Sequence, residues 1–357
     1  MITISVCMIV KNEEDVLDRS LGCATQFADE IIVVDTGSDD RTKEIAHRFT
    51  DHVYDFVWCD DFSKARNYAF SLATSQFCMW LDADDVVLDE DIKKMNDLKQ
   101  RLSEETTIVM MKYHTSFDAD GHPDFTYYRE RLINRAANLQ WTGVIHEVIP
   151  LKGTIEYEDI AITHRKEHVA DPNRNLRIFE GLLEQGKNLD PREQFYYARE
   201  LYYHEQYQKA IAVFEQFLDE KQGWIENCID ACEMMGYCYE LLGEEEQALR
   251  SYFRSFIYDL PRAELCCDIG KHYFDRNQYK QAIYWYQRAL ACSRNDTSGA
   301  FVRIDCYGYI PWLQLCVCYY RMGDIQEAVH CNEQAASIKP NSETIRQNRE
   351  FFAKAIE

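Results

Sequence analysis

The sequence has no Cys-x-x-Cys pair, no Gly-x-Gly-x-x-Gly and no Gly-Lys-Ser/Thr loop, and no apolar run approaches the ~20 residues that a membrane helix needs. The missing cysteine spacing argues against a zinc or disulfide framework, although fourteen cysteines are present. Without either glycine loop the backbone has no ready cradle for a diphosphate, so any such ligand would need a metal to neutralise it. Positive charge is also short. Lys and Arg number 39 against 61 Asp and Glu, a formal charge of −22, which repels nucleic acid and anionic membrane surfaces alike. Met1 to Val6 lacks the basic segment of a secretory leader. The expectation is a soluble, cytoplasmic protein with no nucleic-acid or membrane partner.

What is present favours two domains. A chain of 357 residues is too long for one ordinary core, and 46% hydrophobic content supplies enough apolar surface for two. Cys228, Cys232, Cys266, Cys267, Cys316 and Cys318 fall in helical sequence, where reduced thiols serve as small core residues.

In the first half, Ile2–Val10, Glu30–Asp35, His52–Val57 and Phe77–Asp82 are continuous apolar stretches that predict interior strands. Helical spacing separates them, with Thr36-Gly37-Ser38-Asp39-Asp40 as turn and cap before one helix. Strand alternating with helix implies a parallel sheet, which binds ligands at the carboxyl ends of its strands. Lys11-Asn12, Asp35 and Asp82 stand at three such ends.

The last of these strands delivers Asp82, Asp84 and Asp85 with no basic residue beside them. Crowded carboxylates repel, and protonation, solvation or a divalent cation relieves them. A calcium loop of the helix-loop-helix type is excluded, because Val86 and Val87 occupy the fifth and sixth positions counted from Asp82. After a helix at Asp89–Leu102, the stretches Thr107–Thr115, Phe125–Arg135, Trp141–Ile149 and Thr154–Thr163 predict antiparallel strands, with a turn at Asp118-Ala119-Asp120-Gly121.

Five ordered segments, Met8–Glu13, Val33–Ser38, Asp61–Asn67, Leu81–Asp85 and Trp141–Glu147, together resemble the family 2 glycosyltransferases of the GT-A fold. The resemblance implies an α/β, Rossmann-like, mostly parallel sheet over residues 1–170. It also implies inverting transfer of a sugar from a nucleotide diphosphate donor such as UDP-hexose. It places Asn12, Glu13, Asp35 and Arg66 around the base, Asp82 over ribose and metal, and Asp84 on Mn²⁺ or Mg²⁺ bridging the phosphates. His164 matches a late histidine that completes the metal shell, an alternative to a structural role, and His146 belongs to the same pocket. Inversion needs a base on the face opposite the leaving group. Glu147 is the candidate, against the alternative that it pairs with a cation such as Arg131, and Asp85 is the runner-up.

From Asp171 strand signals disappear. Ala210, Ala248, Ala282 and Ala328 recur 38, 34 and 46 residues apart, each preceded by a turn position at Glu205, Gly243, Asn277 or Gly323 and followed by Phe214, Tyr252, Tyr286 or Asn332. This resembles tetratricopeptide repeats, with their period of ~34 residues, and assigns residues 171–357 to an all-α solenoid. Ser293–Asp305 reads as an insertion, and Glu343–Ile356 as a capping helix bearing Phe351, Phe352 and Ala355. The two-domain plan is similar to that of bacterial enzymes that glycosylate serine or cysteine of bacteriocin precursors. The expected partner is therefore a peptide or protein acceptor held by the repeats, with dimerisation open. The alternatives are a glycan-building transferase whose repeats recruit a partner, and a scaffold that binds nucleotide without catalysis.

Overall fold

Strand β1 (Ile4–Val10) is apolar on both faces, and it lies between β2 (Glu30–Asp35) and β4 (Phe77–Trp80) in parallel register, Val10 opposite Asp35 and Cys7 opposite Trp80. β3 (Val53–Asp55) adds to β2, also in parallel. Helices α1 (Leu17–Ala24), α2 (Thr42–Ala46) and α3 (Phe62–Leu72) join these strands, and α4 (Asp89–Arg101) follows the short β5 (Asp85–Val86). The sheet continues with β6 (Ile108–Phe117), β7 (Pro123–Asn134) and β8 (Ile155–His164), in the order β3-β2-β1-β4-β7-β6-β8-β5. Ile4, Val6, Met8, Leu21, Met79, Leu81, Met95 and Leu98 form the core beneath it, each contributing on the order of 1.5–3 kcal/mol by leaving water.

The computed structural model describes residues 1–117, 121–165, 171–295 and 297–356. It divides the chain into two compact units, Met1–Ser116 with Thr126–Lys187, and Phe117–Phe125 with Asn188–Glu357. Helix α5 (Arg174–Glu184) thus falls in the first unit. The expected turn at Asp118, Ala119 and Asp120 lies outside the described residues.

Two expectations about the later strands need correction. β8 runs parallel to β6 and antiparallel only to β5, so the second half of the sheet is mixed. Trp141–Ile149 is not a strand. It is a loop closed by one bridge between Thr142 and Val148, because Gly143 (φ +91°) and His146 (φ +51°) take left-handed backbone that breaks an extended run.

The second unit is helical: α6 (Pro191–Tyr203), α7 (Tyr207–Glu220), α8 (Ile225–Leu241), α9 (Glu245–Arg254), α10 (Ala263–Asp275), α11 (Tyr279–Leu290), α12 (Tyr309–Arg321), α13 (Ile325–Ile338) and α14 (Glu343–Ile356). α6 with α7, α8 with α9, α10 with α11 and α12 with α13 pack as pairs. The four expected turn positions all adopt left-handed backbone, Glu205 at +59°, Gly243 at +75°, Asn277 at +57° and Gly323 at +85°, which ends one helix and starts its partner. Ala210, Ala248, Ala282 and Ala328 are fully buried, as are Phe214, Tyr252, Tyr286 and Asn332. Gly236 and Gly270 admit those aromatics: a Cβ would stand 2.1 Å from Tyr252 and 2.8 Å from Tyr286. Ala198 and Cys316 occupy the same place in the first and last pairs.

Between α11 and α12 the insertion carries a two-residue strand, Val302–Arg303, and a 3₁₀ turn, Ile304–Tyr307. In α14 Phe352 is buried, whereas Phe351, expected to cap beside it, stays 46% exposed. All fourteen cysteines are free, and only Cys59 is exposed. No helix among the described residues is long and apolar enough to cross a membrane.

Candidate active site

The exits of β1 and β2 are laced together. Asn12, at φ +56°, donates its backbone N–H to Ser38 Oγ at 2.9 Å, and its side-chain oxygen accepts from the Asp39 N–H at 2.9 Å. The Glu13 N–H donates to Thr42 Oγ1 at 2.8 Å. The buried Asp35 carboxylate accepts from the Gly37 and Ser38 N–H groups at 3.1 and 3.0 Å. Asn12, Glu13 and Asp35 therefore share one corner, with Asp35 turned into its own loop rather than outward.

α3 builds the next part. Asp61 caps it, accepting from the Lys64 N–H at 3.1 Å, and the Phe62 N–H donates to Val144 O at 2.9 Å, which ties the 141–149 loop to the helix start. One turn on, Asn67 clamps the Trp141 backbone in both directions, at 2.8 and 3.0 Å. Arg66, beside it, is buried between two acids: Nη2 donates to Asp82 Oδ1 at 2.8 Å and Nε to Glu147 Oε1 at 2.5 Å. Its guanidinium also stands over the Trp80 and Trp141 rings, at 4.8 and 5.1 Å. Burial alone would lower the Arg66 pKa, but Asp82 and Glu147 overcome it and raise it, so the cation is permanent. Burial likewise works against ionised Asp82, and Arg66 and Arg131 hold its pKa below the ordinary carboxylate value. His146 lies in the same loop as Glu147, half-buried.

The third part depends on strand pairing. β5 puts Asp85 opposite His164 of β8, and one ligand atom each from Asp84, Asp85 and His164 lie within 4.8 Å of one another. His164 Nδ1 stands 3.4 Å from Asp84 Oδ1 and 3.3 Å from Asp85 Oδ1. Burial disfavours the imidazolium, yet the two carboxylates push His164 up to about 10. The cluster thus favours positive charge at His164. Two hard oxygens and one imidazole form a donor set that suits Mn²⁺ and accommodates Mg²⁺.

Asp85 is 0% exposed at its side chain, and every approach to it is taken. Tyr113 donates to Oδ1 at 2.8 Å, while Arg131 Nη1 and the Asp82 N–H donate to Oδ2 at 3.0 and 3.2 Å. Burial and the Asp85 charge raise the Tyr113 pKa well above its usual value, which keeps that proton in place. Asp85, the runner-up base, thus stands enclosed among these donors. Asp82 Oδ1 pairs with Arg66, and the cluster of three potential donors is made by Asp84, Asp85 and His164. Glu147 is paired with a cation, as the alternative held, but the cation is Arg66 and not Arg131.

Sequence reading named Arg131 only as a possible partner of Glu147 and passed over Arg129 and Glu130 beside it. Arg131 is 0% exposed at its side chain, donates to Trp80 O at 3.2 Å, and lies over the Trp80 and Tyr113 rings at 3.6 and 4.3 Å. Its Nε and Nη2 have no hydrogen-bond partner, so ring faces replace them. Arg129 pairs with buried Glu130 at 3.1 Å and donates to Glu147 O at 3.3 Å. Three consecutive charges within a strand, followed by Leu132 and Ile133, were the available signal, since buried charges are kept only when paired.

Against this geometry, residues 5–153 match the model of the family described as "Glycosyl transferase family 2". A protein of Synechococcus elongatus named as TPR repeat-containing is 32% identical over 150 residues, covering 42% of this chain and 36% of that protein. The chain therefore spans little more than a third of the length of the curated relative it matches. Among solved structures, MamA from Desulfovibrio magneticus aligns at 18% identity and a TM-score of 0.38, covering 48% of this chain and 88% of that one. A tetratricopeptide repeat protein from Parabacteroides merdae aligns at 16% identity and a TM-score of 0.40, covering 51% and 66%. The N-terminal segment is thus similar to family 2 glycosyltransferases, and a region of paired helices follows it in the chain.

Proposed function

We propose that the first unit is an inverting, divalent-metal-dependent transferase that moves a hexose from a uridine diphosphate donor to a serine or cysteine side chain of a peptide held by the repeats. The observation that carries this reading is the Asp84–Asp85–His164 cluster beyond the exit of the central strand, where Asp84 and Asp85 fall within the segment that matches the transferase family and His164 lies eleven residues past its end. Asp84, Asp85 and His164 would hold Mn²⁺ or Mg²⁺, with Asp82 at the ribose side. When bound, such a cation would neutralise the diphosphate leaving group. Asn12, Glu13, Asp35 and His146 shape the nucleotide end. Arg66, shared between Asp82 and Glu147, positions both sides of the reaction. Glu147 takes the acceptor's proton on the face opposite the leaving group. A cysteine acceptor needs that help less, because a thiol is far more acidic than a hydroxyl.

Asp84→Asn tests the metal assignment directly. Calorimetric titration with Mn²⁺ is expected to lose its heat, and UDP-glucose hydrolysis to fall by about 100-fold, equivalent to about 2.7 kcal/mol of barrier. Unchanged heats would sink the assignment whatever happens to the rate. A hexose mass increment on a serine- or cysteine-containing peptide is the corresponding test of the acceptor.

A further inference from the structure

The insertion between α11 and α12 is longer than stacking requires, since residues 221–224 suffice to join α7 to α8. Its central part is laid across the first helices of three successive pairs. Gly299 lies against the Trp224 ring, closely enough that a Cβ would stand 2.9 Å from it. Phe301 receives the Arg199 guanidinium of α6 at 4.7 Å from its ring centre. Arg303 donates to Glu233 of α8 and to Asp268 of α10, the latter at 2.7 Å, and its backbone N–H donates to Glu264 of α10 at 3.0 Å. Tyr237 Oη stands 2.6 Å from Glu233 and 2.7 Å from Asp268.

Two features separate Arg303 from an ordinary structural arginine. Its side chain is 39% exposed while those of Glu233 and Asp268 are 11% exposed, so the cation is the outermost member, on a segment that also pairs with β7 and stacks Phe301 on Phe125 at 5.9 Å. The face is also short of positive charge. Asp230, Glu233, Glu264 and Asp268 are balanced by Arg199 and Arg303. Burial raises the Glu233 pKa well above its usual value, with Arg303 opposing, and raises that of Asp230. Withdrawing Arg303 would leave acids that demand another cation.

We propose that Gly299–Arg303 occupies in cis the seat of an extended, arginine-bearing peptide, and that the first-helix face of the repeats is a docking groove entered by exchange of that peptide's guanidinium for the one of Arg303. The peptide's aromatic side chain would take the place of Phe301 against Arg199, and its arginine the place between Glu233 and Asp268. This rests on the reading of the repeats as the holder of a peptide, and it adds the peptide's chemistry: cationic, extended, with an aromatic residue two positions before the arginine.

Fluorescence anisotropy with a labelled Gly-Ala-Phe-Val-Arg-Ile peptide tests it on the full chain. Arg303→Ala is expected to bind the probe at least tenfold tighter than the unaltered protein, because the internal competitor is gone. The same peptide with alanine in place of arginine should bind neither. Equal affinity of the two proteins, or equal binding of the alanine peptide, would overturn the exchange. The unaltered protein gives an independent measure that no folding defect can imitate. Saturating probe should speed amide hydrogen exchange across 299–303, and no change there also overturns the proposal. UDP-glucose hydrolysis followed alongside separates the two readings: hydrolysis without probe binding removes this inference alone, and probe binding without hydrolysis removes the transferase reading alone.

Discussion

Each unit buries a group of carboxylates against two arginines, and the two groups differ in where their cations come from. In the first unit Arg66 belongs to a helix and Arg131 to a strand at the centre of the sheet, and neither is free to leave. In the second, Arg199 is on a helix, but Arg303 arrives on an inserted loop and remains 39% exposed at its side chain. A counter-ion fixed in the core shapes a site for something else, whereas a counter-ion on an insertion occupies the seat itself. On the two proposals above, the same pairing chemistry would position ligands in one unit and stand in for a ligand in the other.

The largest expected effect tests the fixed end of this contrast. Arg131→Met leaves Asp85 buried without its guanidinium and should cost about 3–5 kcal/mol in urea unfolding; a loss below about 1 kcal/mol would make Arg131 as dispensable as a surface charge. The frame around Arg303 is the next test. Gly236→Ala drives a Cβ to 2.1 Å from the Tyr252 ring, and the overpacking of about 1–3 kcal/mol outweighs the ~1 kcal/mol of helix propensity that alanine gains. A neutral or raised melting temperature would show that the helix pair yields there.

The smallest effect is a pH slope. Glu233 has a folded pKa above its unfolded one, so the folded state holds the proton more tightly. The stability this supplies is complete below the unfolded pKa near 4.5 and is lost as pH rises through the raised folded value. Glu233→Gln should therefore gain on the unaltered protein, by about 1 kcal/mol, in urea midpoints compared between pH 5 and pH 8. A difference constant with pH would mean that Arg303 fully compensates the ionised acid.

Much of the fold was legible because its signals are local. Unbroken apolar runs announced β1, β2 and β4, and the turn positions Glu205, Gly243, Asn277 and Gly323 marked the helix pairs through a backbone conformation that each adopts. The 141–149 segment misled because its apolar residues suit a strand, while Gly143 and His146 turn the backbone out of one. Within the acidic triplet, the division of tasks was not legible at all. Asp85 meets His164 across 79 residues of sequence and Arg131 across 46, and no local pattern encodes such partners.

By itself the sequence determined that acids stand at the strand exits, that helices follow in pairs, and that the chain is short of positive charge. These rest on periodicity and composition, which act over a few residues. Only the tertiary structure decided that Asp85 is sealed beneath the rim, that Asp82 and Glu147 share Arg66, and that Arg303 closes an acidic face made by α8 and α10. Those choices follow from strand register and helix stacking, which bring together charges too far apart in sequence to influence one another until the chain has folded.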